Sequence, residues 1–253
     1  MITNNDLKYY ASLLNKKYRK IENKFLIEGK KIVEEGLAGD YDYEKVFITI
    51  KFEETNPELI KKIRLNKVTV EVLRSVEFQR ISDTKAPQGI AAVLNKKSTT
   101  FSPSLIKDKV LVYLEDINDP GNLGTILRNC NWFGINNILL SKESAEMYNP
   151  KVLRASMGSV FHLNIFEDIT LKEIRQLKNS GYAFICSDID GKNVFDFKWN
   201  DKIILFLSNE SKGPSQELLS ITDHKITIPR KGIAESLNVA SASAIMLAVL
   251  TNN

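Results

Sequence analysis

The chain has 253 residues, 43% apolar and 26% charged, enough for one large or two modest domains with a sizeable core. No apolar run approaches the roughly 18 residues of a membrane span, and Met1-Ile2-Thr3-Asn4-Asn5-Asp6 has no basic-then-apolar signal pattern, so the expectation is a cytoplasmic protein without a membrane partner. The net charge of +4 is mild but uneven, with 19 Lys/Arg against 14 Asp/Glu in residues 1–100 and 16 against 17 beyond.

In chain order, Leu7 to Lys20 and Lys30 to Leu37 have helical spacing, Lys45 to Ile50 and Val68 to Leu73 read as strands, and Glu58 to Leu65 is helical. Ala86-Pro87-Gln88-Gly89 turns into a last strand ending near Val93. These elements form an α/β domain over 1–95. Basic clusters on it, Lys16-Lys17-Tyr18-Arg19-Lys20, Lys30-Lys31 and Lys61-Lys62-Ile63-Arg64, suit phosphate contacts, although interspersed Glu22, Glu28, Glu34 and Glu35 also fit solvated helix faces. Residues 96–106, rich in Lys, Ser, Thr and Pro, read as a linker.

Over 107–253, strands at 109–114, 137–140, 160–165, 182–187, 203–207 and 225–228 alternate with helical segments, the pattern of a mostly parallel sheet covered by helices. The first strand turn lacks G-x-G-x-x-G, and no G-x-x-x-x-G-K-[ST] is present, which argues against dinucleotide-binding and P-loop folds. Cys130 and Cys186 lie among apolar neighbours in no paired spacing, and His162 and His224 are isolated, so no metal site is expected.

Three polar segments follow apolar strands. The first is Asp119-Pro120-Gly121-Asn122-Leu123-Gly124-Thr125-Ile126-Leu127-Arg128, where Gly121 and Asn122 suit a turn and helix cap and Arg128 falls off the apolar stripe Leu123, Ile126, Leu127, Cys130. The second is Ser208-Asn209-Glu210-Ser211-Lys212-Gly213-Pro214, leading into a helix near Ser215. The third runs from Ile228-Pro229-Arg230-Lys231-Gly232 to Ser236-Leu237-Asn238-Val239, with Ser236 as the expected cap of the last helix. In that helix Ala240-Ser241-Ala242-Ser243-Ala244 offers an unusually small surface, fit for a tight threading, a dimer interface or an ordinary close-packed core.

Together these segments closely resemble the three motifs of the SpoU (TrmH-like) branch of the SPOUT methyltransferases, which methylate ribose 2′-hydroxyls in RNA. Lys24 to Glu34 and Ile81 to Gly89 are similar to that family's auxiliary RNA-binding domain. The resemblance implies an α/β fold with an N-terminal L30-like RNA substrate-binding domain and a C-terminal SPOUT domain carrying a deep trefoil knot. It implies a homodimer, S-adenosylmethionine as cofactor and RNA as substrate. Ribosomal RNA is the expected class; transfer RNA, or RNA binding without catalysis, are the alternatives. Asn122, Arg128, Glu210, Ser236 and Asn238 are the implied catalytic residues, with Glu210 as the partner of the arginine. Ser208, Asn209, Gly213, Ile228 and Leu237 are the implied cofactor-binding residues. A guanidinium is protonated at any working pH, so Arg128 either needs strong help to act as a base or holds the phosphate and stabilises an incipient alkoxide. Ser208 and Ser211 replace the first two glycines of the usual G-N-E-G-x-G, and a Cβ there narrows the cofactor's approach or shifts the backbone.

Overall fold

In the computed structural model, which describes residues 2–39, 41–97, 99–199 and 201–252, the chain divides into two units. The first comprises Met1–Ser98 with Tyr148–Phe161, the second Thr99–Met147 with His162–Asn253. Ser98, within the expected linker, lies outside the described residues.

The first unit begins with α1 (Asn4–Ser12), closed by a capping box between Thr3 and Asp6. The single helix expected over Leu7 to Lys20 is two: the chain turns at Leu13–Asn15 and restarts as α2 (Lys16–Glu22), with the Asn15 side chain accepting from Lys17 N. Asn competes for backbone groups and favours a cap over a helix interior, which apolar spacing alone does not register. Arg19 is 1% exposed and donates to the Leu13 carbonyl at 2.9 Å, so this member of the basic cluster is unavailable to phosphate.

There follow β1 (Lys24–Glu28), α3 (Lys30–Ala38), β2 (Tyr43–Thr49), α4 (Ile50–Thr55), α5 (Pro57–Leu65), β3 (Val70–Leu73), α6 (Ser75–Ile81) and β4 (Ile90–Asn95). Sequence periodicity did not mark β1, α4 or α6; each is seven residues or fewer, too short for a helical or alternating period to stand out. The sheet order is β1-β4-β2-β3, antiparallel except for β2 against β3. The buried Glu28 carboxylate at the end of β1 accepts from Ser82 Oγ, Asp83 N and Thr84 Oγ1 and so fastens the turn before β4.

The second unit opens with β5 (Val110–Glu115), α7 (Pro120–Trp132) and β6 (Asn137–Leu140). The chain then contributes α8 (Pro150–Ala155) to the first unit, where Arg154 pairs with Asp83 at 2.7 Å. It resumes in the second unit as β7 (Asn164–Phe166), α9 (Leu171–Arg175), β8 (Tyr182–Asn193), β9 (Lys202–Ser208), α10 (Gln216–Ile221), β10 (His224–Thr227) and α11 (Val239–Thr251). The strand expected at 160–165 is instead a 3-10 turn at Ser159–His162 followed by β7.

The six strands lie in the order β10-β8-β9-β5-β6-β7, every pair parallel. A parallel sheet is buried on both faces, hence the unbroken apolar runs of β5 and β9 and a core built on Tyr113, Phe184, Phe206 and Leu218. β8 extends well past its expected end because its last residues pair again with β10 beyond a register shift. Gly191 sits there because any Cβ would run into the Ile226 backbone. No helix of the described residues is long and apolar enough to cross a membrane.

Candidate active site

Parallel strands send every following loop out at the same edge, and in such sheets ligands bind beyond the carboxyl ends. β5, β9 and β10 therefore deliver all three motifs to one side of the second unit.

α7 is capped by Asp119, whose Oδ1 accepts from Asn122 N at 2.8 Å, and Pro120 takes the first helical position. The cap expected at Gly121 or Asn122 is thus displaced by three residues or fewer, because Asp-Pro satisfies the helix start by itself. The Asn122 side chain is left free for other work. It donates Nδ2 to Glu210 Oε1 at 3.2 Å and accepts at Oδ1 from Asn238 Nδ2 at 3.0 Å.

Asn238, not Ser236, caps the last helix: its Oδ1 accepts from Ala240 N at 3.0 Å and Ser241 N at 3.4 Å. The asparagine does this through Oδ1 while its amide N–H₂ donates to Asn122. One relay results, from the α11 N-terminus through Asn238 and Asn122 to Glu210, joining all three motifs. α7 and α11 are further locked by Asn129, seven residues after Asn122 on the same helix face, donating to Ala240 O at 3.0 Å and Ser243 Oγ at 2.9 Å.

Arg128 is not part of this relay. Six residues past Asn122, it lies about 9 Å further along the helix and about 120° around it. It falls on the exposed stripe Thr125, Arg128, Trp132, where Trp132 is 83% exposed. Among the described residues Arg128 makes no hydrogen bond or ion pair, and Glu210 meets Asn122 rather than the arginine. Ser236 is likewise exposed and without a hydrogen bond among the described residues.

The second loop is held by its own Asx turn and by the end of β5. Asn209 Oδ1 accepts from Ser211 N at 2.9 Å, its carbonyl accepts from Gly213 N at 2.8 Å, and its N and Nδ2 donate to the carbonyls of Glu115 and Asp116. Gly213 has φ +65°, and open space surrounds the position a Cβ would take. Ser208 turns its hydroxyl to Glu115 Oε2 at 2.9 Å, away from the role of a side-chain contact to a ligand. Sequence periodicity does not single out Glu115; its signal is an acidic residue ending an apolar strand four positions before the first motif.

In the third loop Ile228 is half-buried directly after β10, and Leu237 is 48% exposed. Residues 229–237 form no backbone-to-backbone hydrogen bond among the described residues; the Ala234 carbonyl accepts from Arg230 Nη1 at 3.3 Å, and main-chain groups elsewhere in the segment are available to a ligand. Burial pushes the Cys130 and Cys186 thiols up to about 12, which suits buried packing groups rather than nucleophiles. Among the described residues no group of three His, Cys, Asp or Glu could hold a metal ion.

The profile of the SpoU rRNA Methylase family matches residues 109–248, more than half of the chain and all three motif loops. The chain belongs to this family. Residues 4–92 match the MRM3-like substrate binding domain, so the SpoU chain carries a substrate-binding domain ahead of its catalytic one. Among curated relatives, the 23S rRNA (guanosine(2553)-2′-O)-methyltransferase RlmP of Bacillus subtilis is 30% identical over 245 residues, 96% of this chain and 95% of the relative. Among solved structures, a TrmH-family putative RNA methyltransferase from Porphyromonas gingivalis is 30% identical with TM-score 0.84, covering 98% of each chain. The AdoMet-bound rRNA methyltransferase from Sinorhizobium meliloti is 26% identical with TM-score 0.85, covering 98% of this chain and 95% of that one.

Proposed function

We propose that this SpoU chain transfers a methyl group from S-adenosylmethionine to a ribose 2′-hydroxyl of ribosomal RNA. The observation that carries the reading is the Asn238–Asn122–Glu210 relay, which ties three separated motifs into one arrangement at the carboxyl edge of a parallel sheet. The relatives named above act on, or are described as methylating, RNA and ribosomal RNA.

The loops fit the cofactor on two features of this chain: the open positive-φ turn at Gly213 and the segment 229–237, which among the described residues forms no main-chain-to-main-chain hydrogen bond. Asn209 and Gly213 offer main-chain groups on one side; Ile228 and Leu237 offer apolar surface for the adenine on the other. Ser208 contributes through its main chain, its hydroxyl being engaged by Glu115. When bound, S-adenosylmethionine supplies an electrophilic methyl on a sulfonium. Glu210 and Asn122 hold the loops in register, and Asn238 aligns the α11 N-terminus with them. Arg128, exposed and unpaired among the described residues, grips the phosphate of the reacting nucleotide and stabilises the incipient 2′-alkoxide as the hydroxyl passes its proton to solvent water. Ser236 is an exposed donor on the same side.

The N-terminal domain supplies the RNA contacts, with Lys16, Lys17 and Lys20 exposed along α2. A knotted course is supported by the chain path: β10 lies at the sheet edge beyond β8, yet α11 returns to pack on α7, the helix that follows β5. A homodimer is supported by α11, apolar nearly all round with Ile245 and Val249 only half-covered, and by exposed Trp132.

The test is tritiated methyl transfer from S-adenosylmethionine to purified ribosomal and transfer RNA, with the product mapped by alkali-resistant dinucleotides. Incorporation into ribosomal RNA at a ribose is expected. Incorporation into transfer RNA alone, or into bases, refutes the proposal, as does none in either.

A further inference from the structure

All three side-chain hydrogen bonds of Glu115 go to the flanks of one loop. Ser208, the last residue of β9, donates Oγ to Oε2 at 2.9 Å. Ser215, the cap of α10, donates N to Oε2 at 3.0 Å and Oγ to Oε1 at 2.6 Å. Between these anchors lie only Asn209 to Pro214. The Glu115 residue is 8% exposed, and no Lys or Arg pairs with it among the described residues, since nearby Lys212 goes to Asp116 at 3.3 Å.

A carboxylate buried without a cation must be satisfied by hydrogen bonds, and bonds to an ionised acceptor are shorter and stronger than neutral ones. Here every such donor comes from one end or the other of a single turn. The Glu115 main chain adds a further tie, its carbonyl accepting from Asn209 N at 3.1 Å. Pinning both ends of a six-residue segment removes many of the conformations it would otherwise sample, so less ordering is left for a ligand to bring about.

The geometry points to Glu115 as a positioning residue that staples the two ends of the Asn209–Pro214 loop and so holds Asn209, Glu210 and Gly213 ready for the cofactor. This rests on the methyltransferase reading above. It also accounts for Ser208 in place of the usual glycine: the hydroxyl forms the first arm of the staple, while the main chain is left facing outward. Glu115 touches neither substrate nor cofactor; it acts through the loop.

The test uses the full chain and two variants, E115Q and S208A. Glutamine keeps the volume but turns one acceptor into a donor facing the Ser215 donors. Calorimetric titration with S-adenosylmethionine should give a Kd about tenfold higher for E115Q and about threefold higher for S208A, the sizes expected for losing charged-acceptor hydrogen bonds. The kcat of E115Q at saturating cofactor and RNA should stay within about threefold of wild type, because a preordering defect is overcome once the cofactor is bound. Deuterium exchange should quicken in peptides covering Ser208 to Ser215 and stay unchanged in those covering β5 to β6. Unchanged Kd and unchanged exchange in E115Q overturn the staple. A uniform rise in exchange across the whole sheet also overturns it, as that marks a merely structural acid. If E115Q fails to fold, S208A decides by the same two readouts. Should wild type neither bind the cofactor nor methylate RNA, the functional reading fails, while the exchange comparison still judges the staple.

Discussion

Asn122→Asp tests the relay most directly, because it changes one atom's chemistry and almost no volume. The Asp keeps an oxygen to accept from Asn238 Nδ2, but where Asn122 Nδ2 now donates to Glu210 Oε1 at 3.2 Å it presents a second carboxylate oxygen. Two unit charges at that separation repel by about 1.3 kcal/mol at the dielectric of water, the appropriate limit for so exposed a pair. Loss of the hydrogen bond adds about 1 kcal/mol. Together they allow up to about fiftyfold in the affinity of any ligand that needs the loops in register. Calorimetric titration of S-adenosylmethionine at low salt should therefore give a Kd between about three and about fifty times the wild-type value, the spread reflecting how much order the other loop contacts preserve. The charge component has its own signature. Raising ionic strength to about 1 M shortens the Debye length to about 3 Å, comparable to the charge separation. The Asn122→Asp deficit should then shrink by about threefold, whereas that of Asn122→Ala should not move with salt. A variant that binds like wild type at low salt, or whose deficit ignores salt, would refute the relay as the element that registers the loops.

Arg128→Ala should lower methyl transfer by about 100-fold or more, the usual size for removing a positioned cationic donor. Its melting temperature and cofactor affinity should hardly change, since the side chain is exposed and unpaired among the described residues; near wild-type turnover would contradict its role. Cys130 and Cys186, with thiols raised to about 12 by burial, should resist a disulfide reagent at pH 8 until denaturant is added, and rapid labelling of the native protein would contradict their burial. At Asp223 burial pushes the carboxyl up, but Lys178 at 2.7 Å and the Phe184 N–H at 2.8 Å outweigh it and hold the group below 3.8. A depressed carboxyl contributes stability that is present above the unfolded value and lost as pH falls through the folded one. Thermal melts of Asp223→Asn below about pH 4 should thus fall less steeply than those of wild type; parallel curves would argue against the pairing.

Much of the second unit was legible in the sequence because its signals are local. Parallel strands such as Ile203–Leu207 are apolar on both faces and announce themselves as runs, and Asp-Pro, Gly-Pro and Ser caps punctuate the loops between them. Elements shorter than two helical turns, such as α4 and α6, left no such trace. The residue types of the three motifs likewise pointed to a family and hence to a chemistry, whereas the wiring among them was a matter of tertiary structure. Asn122 and Glu210 are 88 positions apart, and Asn122 and Asn238 are 116 apart, so no spacing rule could pair them.

By itself, then, the sequence determined the parallel α/β architecture and the polar content of the loops, since both follow from local periodicity and turn chemistry. Only the folded chain decided that Arg19 is a buried structural cation, that Asn238 rather than Ser236 ends the relay, and that Glu115 ties Ser208 to Ser215. Each of those outcomes depends on which donor meets which acceptor across a packed interior, and that is set by the docking of distant strands and helices rather than by neighbours in the chain.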